Sequence, residues 1–237
     1  MREIVISGSM KMADIIMADQ RAMVLMPRFG IEMGFGDKTV KQICHEKSIQ
    51  LDFFLLMVNI FLHHHYFPNK KLKNVDVKLL LLYLANAHDY YIREKIPALQ
   101  SQFRDLMQVL SHPAKSQLDT FFNQYIQEVI EHIEYEEQVV FPYIEKLMMS
   151  LDAAGKKNVP DYGIREFEER HHNIEEKLSD LKNLLIKYFP PDNGRYRRIR
   201  ILNELFDLEQ DLINHARLED KVLIPIVEDI EKQNSGK

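Results

Sequence analysis

The sequence is poor in the residues that characterise several protein classes. Among its 237 residues there are one cysteine, eight glycines and no tryptophan. The single cysteine, Cys44, cannot form an internal disulfide, so the chain shows no sign of an oxidising compartment or of a disulfide-stabilised fold. The low glycine count and the missing tryptophan suit long helices better than a β-sheet.

Long apolar runs and an excess of positive charge are also missing. The longest apolar stretch, residues 51–62, contains Asp52 and Asn59 and is shorter than the roughly 18 residues that a membrane helix needs. The N-terminus has no signal-peptide core of sufficient length. The formal net charge of -5 disfavours a general nucleic-acid surface, which is usually basic. We therefore predict a soluble, cytoplasmic protein that binds neither membranes nor nucleic acids.

Residues that end helices or form turns divide the chain into amphipathic segments. Helical apolar spacing predicts four long helices at about 76–110, 114–150, 161–189 and 195–232. Short connections between long helices favour antiparallel neighbours, so we predict an all-α fold with an up-down-up-down four-helix bundle.

The first part of the chain has shorter segments than the bundle. It is rich in methionine and includes one apolar helix predicted from about Thr39 to Leu62. The polar stretch at residues 68–74 is the natural boundary between the two parts. We predict a small helical N-terminal domain over residues 1–70 and the bundle over residues 71–237.

An internal repeat relates the two halves of the predicted bundle. A shift of 83 residues superimposes three pairs of polar residues, namely His88 on His171, His132 on His215, and Glu136 on Glu219. In each half, one helix carries a lone histidine and the next carries an H-x-x-x-E motif. These residues fall within inward-facing seams of apolar residues spaced three and four apart. In the second helix the predicted seam is Tyr125, Val129, His132, Glu136, Val139 and Tyr143.

This pattern predicts a site for two metal ions. A buried carboxylate without a partner costs several kcal/mol, and cations remove that penalty. Six ligands are too many for one tetrahedral zinc ion, but they suit two ions roughly 3.5 Å apart, bridged by the two glutamates and a small oxygen species. Imidazole and carboxylate ligands suit iron, with manganese or zinc as substitutes. The predicted metal ligands are His88, His132, Glu136, His171, His215 and Glu219.

Each of these residues also has an ordinary structural interpretation. A lone histidine on an apolar stripe is more often a hydrogen-bonded core residue, and one H-x-x-x-E pair can be a helix-stabilising contact. Six such residues in register across a repeat favour the metal site. The other histidines have no such pattern, and the basic run at residues 195–200 is interpreted as a solvated face, with an acidic partner as the lesser alternative.

The repeated motifs resemble the hemerythrin-like, or HHE, cation-binding family over roughly residues 74–232. Residues 28–33, 36–40 and 44–47 resemble the short domain that precedes this bundle in the repair-of-iron-centres family. The resemblance implies a cytoplasmic di-iron protein, with an oxo- or hydroxo-bridged pair of iron ions, that helps iron–sulfur clusters recover from nitric oxide or peroxide damage. It also implies that the four histidines are terminal ligands and the two glutamates are bridges.

One departure from that family concerns a loop in the N-terminal region. Gly34 and Phe35 stand where the family usually carries a Cys-Cys pair, so the resemblance does not extend to chemistry that needs those thiols. The leading hypothesis is a di-iron repair protein that reacts with oxygen, nitric oxide or peroxide, or releases iron to damaged iron–sulfur proteins. The alternatives are an oxygen or nitric oxide binding or sensing protein without turnover, and a partner-binding protein whose metal is structural. The sequence leaves open whether the chain is an enzyme, and whether it forms a dimer.

Overall fold

The structure is a computed structural model that describes residues 5–63, 65–66, 75–152, 162–170, 174–189 and 194–235. Within these ranges the chain forms helices and connecting turns, and no β-strand occurs there. The all-α prediction is therefore confirmed. None of the helices in these ranges is both long enough and apolar enough to cross a membrane.

The chain divides into two compact units, residues 1–87 and residues 88–237. The division falls within one helix, after Ala87. The polar stretch at residues 68–74 that we predicted as the boundary lies almost entirely outside the described residues, so a boundary at residue 70 stays a prediction.

The first unit consists of short helices. Thr39 starts one of them with a capping box, in which its hydroxyl accepts from the Gln42 backbone and the Gln42 side chain accepts from the Thr39 backbone. The prediction of a single helix from Thr39 to Leu62 was wrong, because the chain turns between two helices there and Ser48 adopts a left-handed φ of 55°. The helices are α1 Met12–Ala18, a 3-10 helix Gln20–Val24, α2 Leu25–Arg28, α3 Val40–Glu46, α4 Leu51–Leu62 and the first part of α5 Val77–Tyr90.

Two features of the first unit bear on thiol chemistry. Gly34 has a φ of +99°, a conformation that strains any residue with a Cβ, so a cysteine at this position would need a different loop. Cys44 is 1% exposed on α3, and burial raises the pKa of its thiol to about 11. Neither position therefore presents a reactive thiolate near neutral pH.

The second unit contains four long helical segments, whose ends agree with the predicted helices within a few residues. Each segment includes a π-turn, in which a backbone N–H bonds to the carbonyl five residues earlier instead of four. The first segment is α5, the π-turn Tyr91–Lys95 and α6 Ile96–Val109; the second is α7 Lys115–Tyr135, the π-turn Glu136–Val140 and α8 Phe141–Asp152. The third is α9 Ile164–Arg170, α10 Ile174–Asn183 and the π-turn Leu184–Tyr188; the fourth is α11 Arg195–Leu218, the π-turn Glu219–Leu223 and α12 Ile224–Ser235.

The four segments of this unit pack as neighbours in a bundle. Helix α6 packs against α7 and α11, α10 packs against the same two helices, and α8 packs against α12. Ion pairs join three of these interfaces. Lys95 pairs with Glu204 at 2.5 Å between the first and fourth segments, Lys177 pairs with Glu128 between the third and second, and Lys182 pairs with Glu209 between the third and fourth.

The position of every π-turn is tied to a proline in the sequence. Each π-turn begins six residues before one, the prolines being Pro97, Pro142, Pro190 and Pro225. A proline inside a helix has no N–H and its ring clashes with the carbonyl four residues earlier. The residue before the proline bonds five residues back instead, as the Phe141 N–H does to the Glu136 carbonyl and the Ile224 N–H does to the Glu219 carbonyl. The π-turn thus accommodates the proline without ending the helix.

The π-turn in the second segment changes which residues face the core. We predicted Val139 in the inward seam, but its side chain is 37% exposed while Val140 is fully buried. The prediction was wrong because it extended the regular helical period through residues 136–140. The π-turn adds a residue there and rotates the rest of the helix about its axis.

Candidate metal centre

Four of the six predicted ligands come together in the interior of the second unit. His88, Glu136, His215 and Glu219 each offer an atom, and these atoms all lie within 4.8 Å of one another. The first segment contributes His88, the second contributes Glu136, and the fourth contributes the other two. His132 joins the group through Glu136. The sixth predicted ligand, His171, lies outside the described residues.

The distances place nitrogen and oxygen atoms around a common centre. The Nε2 atoms of His88 and His215 are 3.1 Å apart. Glu136 lies between the histidines, with Oε2 at 2.9 Å from His88 Nε2 and Oε1 at 2.7 Å from His132 Nε2. Glu219 Oε1 is 3.1 Å from His215 Nε2. In both H-x-x-x-E motifs the four-residue spacing brings the histidine and the glutamate to one helix face, as predicted.

The cluster is buried, and its charges oppose each other. Glu136, Glu219 and His88 are fully buried, and His215 is 5% exposed. Burial lowers the pKa of His215, but the carboxylates of Glu219 and Glu136 outweigh that effect and raise it to about 9. For His88 burial again acts downward, and Glu136 and Glu137 reverse it, so that its pKa is raised. The site therefore strongly attracts positive charge.

Aromatic rings form two walls of the site. Phe141 stacks on the His88 imidazole, with ring centroids 5.5 Å apart and planes 8° apart. The buried Tyr91 presents its ring at 73° to His215, with centroids 5.7 Å apart. Both aromatic residues adjoin π-turns, because Tyr91 begins one and Phe141 comes directly after another. These rings restrict the two imidazoles and keep bulk water away.

The donor set fits metal ions. Two carboxylates and two imidazoles with converging atoms, held in an apolar interior on three different helices, are typical ligands for first-row transition metals. Such a cluster is destabilising unless the charges are compensated, and cations compensate them. The description of the family model that this chain matches agrees with that conclusion, since residues 87–227 match the Hemerythrin HHE cation binding domain.

The chain belongs to the hemerythrin HHE cation-binding family. The matched residues cover more than half of the chain and include all six predicted ligands. Membership in the HHE family confirms the resemblance inferred from the repeated motifs, and together with the buried cluster it makes this a metal-binding protein.

Two relatives have names that concern iron. The chain is 22% identical over 199 residues to the Iron-sulfur cluster repair protein ScdA of Staphylococcus haemolyticus (strain JCSC1435), a match that covers 83% of this chain and 87% of that protein. It is 30% identical over 146 residues to the Iron-sulfur cluster repair protein YtfE of Cronobacter sakazakii (strain ATCC BAA-894), covering 60% of this chain and 61% of that protein. The first match extends well beyond the HHE domain.

Three features of the centre were missed by the sequence analysis. Glu137 approaches His88, and Tyr91 and Phe141 contact the two imidazoles. The aromatic residues give no signal that separates them from ordinary core residues. Glu137 does give one, because an acid comes directly after the glutamate in both halves of the repeat, as Glu137 and Asp220.

Proposed function

We propose that this chain is a di-iron protein that acts in the repair of iron–sulfur clusters damaged by nitrosative or oxidative stress. The buried group of His88, Glu136, His215 and Glu219 is the observation that carries the proposal. The names of the two relatives supply the process, and the combination of imidazole and carboxylate supplies the choice of iron over harder cations.

The ligands would be divided between two iron ions. His88 and His215, whose Nε2 atoms are 3.1 Å apart, would serve one ion, and His132 and His171 the other. Glu136 supports this division because its two oxygens face different histidines, Oε2 towards His88 and Oε1 towards His132. Glu219 occupies the equivalent position in the repeat and would be the second bridge.

When bound, such a pair supplies a change of redox state and an open position for a small oxygen or nitrogen oxide species. The residues of this chain set the conditions for that chemistry. Full burial of both glutamates excludes bulk water and strengthens every charge interaction in the site. The stack of Phe141 on His88 and the edge contact of Tyr91 with His215 limit the space around the imidazoles, which favours diatomic or similarly small reactants over organic substrates.

The proposed partners are damaged iron–sulfur proteins and small species such as oxygen, nitric oxide and peroxide. This part rests on the names of the relatives and on the size of the site. The cytoplasmic location predicted from the sequence belongs to the same proposal. The chain does not use an exposed thiol in this scheme, because its one cysteine is buried.

Metal content is the first test. Protein purified without oxygen from iron-replete cells should contain two iron ions per chain, with Mössbauer parameters of a coupled pair. Glu134→Ala is a matched control for Glu136→Ala, since Glu134 is an exposed acid on the same helix. We expect iron to be retained in the control and lost in the Glu136 variant.

Repair activity is the second test. A dehydratase whose four-iron cluster has been damaged by nitric oxide should regain activity when the iron-loaded protein is added, and should not when Glu136→Ala is added. A protein that binds oxygen reversibly but restores no cluster would support the binding alternative and contradict the repair function. A protein that contains no iron under these conditions would contradict the di-iron site itself.

A further inference from the structure

Glu137 reaches the ring nitrogen of His88 that points away from the metal centre. Its Oε1 lies 3.2 Å from His88 Nδ1, while His88 Nε2 faces Glu136 and His215 at 2.9 and 3.1 Å. The His88 side chain is 1% exposed, whereas that of Glu137 is 46% exposed. The contact therefore connects a fully buried ring to a carboxylate at the surface of the bundle.

The direction of this hydrogen bond determines which nitrogen is available inside the site. An ionised carboxylate can only accept, so Nδ1 of His88 must carry the hydrogen and donate it to Glu137. The lone pair of the ring is then on Nε2, which is the nitrogen that faces the cluster. A carboxylate in this position fixes the tautomer and orientation of a metal-binding histidine and increases its basicity.

The internal repeat gives this arrangement a counterpart. The shift of 83 residues that places His88 on His171 also places Glu137 on Asp220. In both halves the acid is the residue after the proposed bridging glutamate and lies in the same π-turn, Glu136–Val140 or Glu219–Leu223. A surface acid has no reason to keep this register unless it serves the histidine of its own half.

We propose that Glu137 is a positioning residue that holds His88 with Nε2 directed at the metal centre, and that Asp220 does the same for His171. The inference rests on the proposed function, because it assigns these acids to the metal site described there. It differs from an ordinary surface ion pair, which would contribute little and would leave metal affinity unchanged.

Metal affinity of the apoprotein tests this inference without an activity assay. The wild type, Glu137→Ala, Glu137→Gln and the control Glu134→Ala would each be titrated with Co²⁺ against a chromophoric chelator. We expect Glu137→Ala to weaken binding by about 10- to 100-fold, the usual effect of removing such a partner. Glu137→Gln should lose less, because its side-chain carbonyl still accepts from Nδ1. The control should match the wild type.

A spectroscopic measurement separates positioning from stability. In the Zn²⁺-loaded protein labelled with ¹⁵N-histidine, the His88 Nδ1 resonance should be protonated in the wild type and should shift in Glu137→Ala, with no change in circular dichroism. Equal Co²⁺ affinities for Glu137→Ala and Glu134→Ala would overturn the inference, as would a His88 ring protonated at Nε2. A wild type that binds no Co²⁺ would instead overturn the metal site, and with it both proposals.

Discussion

The second and fourth segments of the bundle carry the same motif in different surroundings. The His132 side chain is 19% exposed, while that of His215 is 6% exposed. One turn earlier the contrast is larger. Asp211 and Asn214 are buried on the fourth segment, and the repeat aligns them with Glu128 and Glu131, which are not.

This difference shows what a sequence repeat preserves. The motif preserves the spacing of the ligands and the place of the π-turn, since both are local properties of a helix. It does not preserve solvent access, which depends on neighbours. The fourth segment packs against helices of the first and third segments along its length, and its C-terminal helix α12 also packs against α8. We expect substitutions in the fourth segment to have the larger effects wherever the two halves are not equivalent.

The largest expected effect is shared equally by both segments. Glu136→Ala and Glu219→Ala should each reduce bound iron by about tenfold or more, because a bridging carboxylate serves both ions. Iron per chain after anaerobic purification measures this. If one variant kept its iron and the other did not, the two glutamates would not both be bridges.

The two histidines of the H-x-x-x-E motifs should differ. His215→Ala should weaken Co²⁺ binding by about tenfold more than His132→Ala, because water can reach the partly exposed position of His132 and replace the lost ligand. Competition titrations of the two apoproteins give the ratio. Equal losses would show that solvent access does not distinguish the two positions.

Two ion pairs on the third segment allow the same comparison for stability. Lys182 and Glu209 are 8% and 21% exposed, whereas Lys177 and Glu128 are 43% and 36% exposed. Lys182→Ala should lower the free energy of unfolding by about 2 kcal/mol, since it leaves a partly buried carboxylate unpaired. Lys177→Ala should lower it by less than about 1 kcal/mol. Urea unfolding of both apoproteins measures the difference, and a larger effect at Lys177 would contradict this assignment.

The smallest effect concerns the bond that joins the C-terminal parts of the two segments. The Tyr143 hydroxyl donates to Glu231 at 2.5 Å, and burial, together with Glu231, raises the pKa of Tyr143 above its ordinary value. The folded protein therefore keeps this proton when an unfolded tyrosine would lose it. The contribution to stability should be complete below about pH 10 and should decrease as the pH rises above it.

Tyr143→Phe isolates that contribution. At neutral pH the variant should be less stable by about 1–2 kcal/mol, as expected for a hydrogen bond to a charged acceptor. Above about pH 10 the difference from the wild type should become smaller, which thermal unfolding across the pH range can monitor. A difference that stayed constant would mean that the hydroxyl does not titrate differently in the two states.

Helix ends were predictable because prolines and turn residues mark them in the sequence. The π-turns were not predicted, since a regular period was extended through each helix. The prolines were the available signal. Pro142 and Pro225 are 83 residues apart, like the ligands, but Pro97 and Pro190 are 93 apart, and so are the π-turns before them. The proline, not the ligand, thus determines where each π-turn lies.

The site was predicted as far as local patterns reach. The convergence of His88, Glu136, His215 and Glu219 was expected from periodicity and from the cost of burying acids, and the structure places these side chains together. The assignment of all six residues as ligands stays a prediction. Glu137 was missed because it lies beside the seam at the surface, where periodicity carries no information.

The burial of Cys44 has a consequence for how copies of this chain could associate. It is the only sulfhydryl in the sequence, and the folded unit encloses it on α3. Two intact molecules therefore cannot be linked through sulfur unless that helix first opens. Any pairing of chains in air-exposed solution must be noncovalent and should dissociate on dilution, with or without reductant.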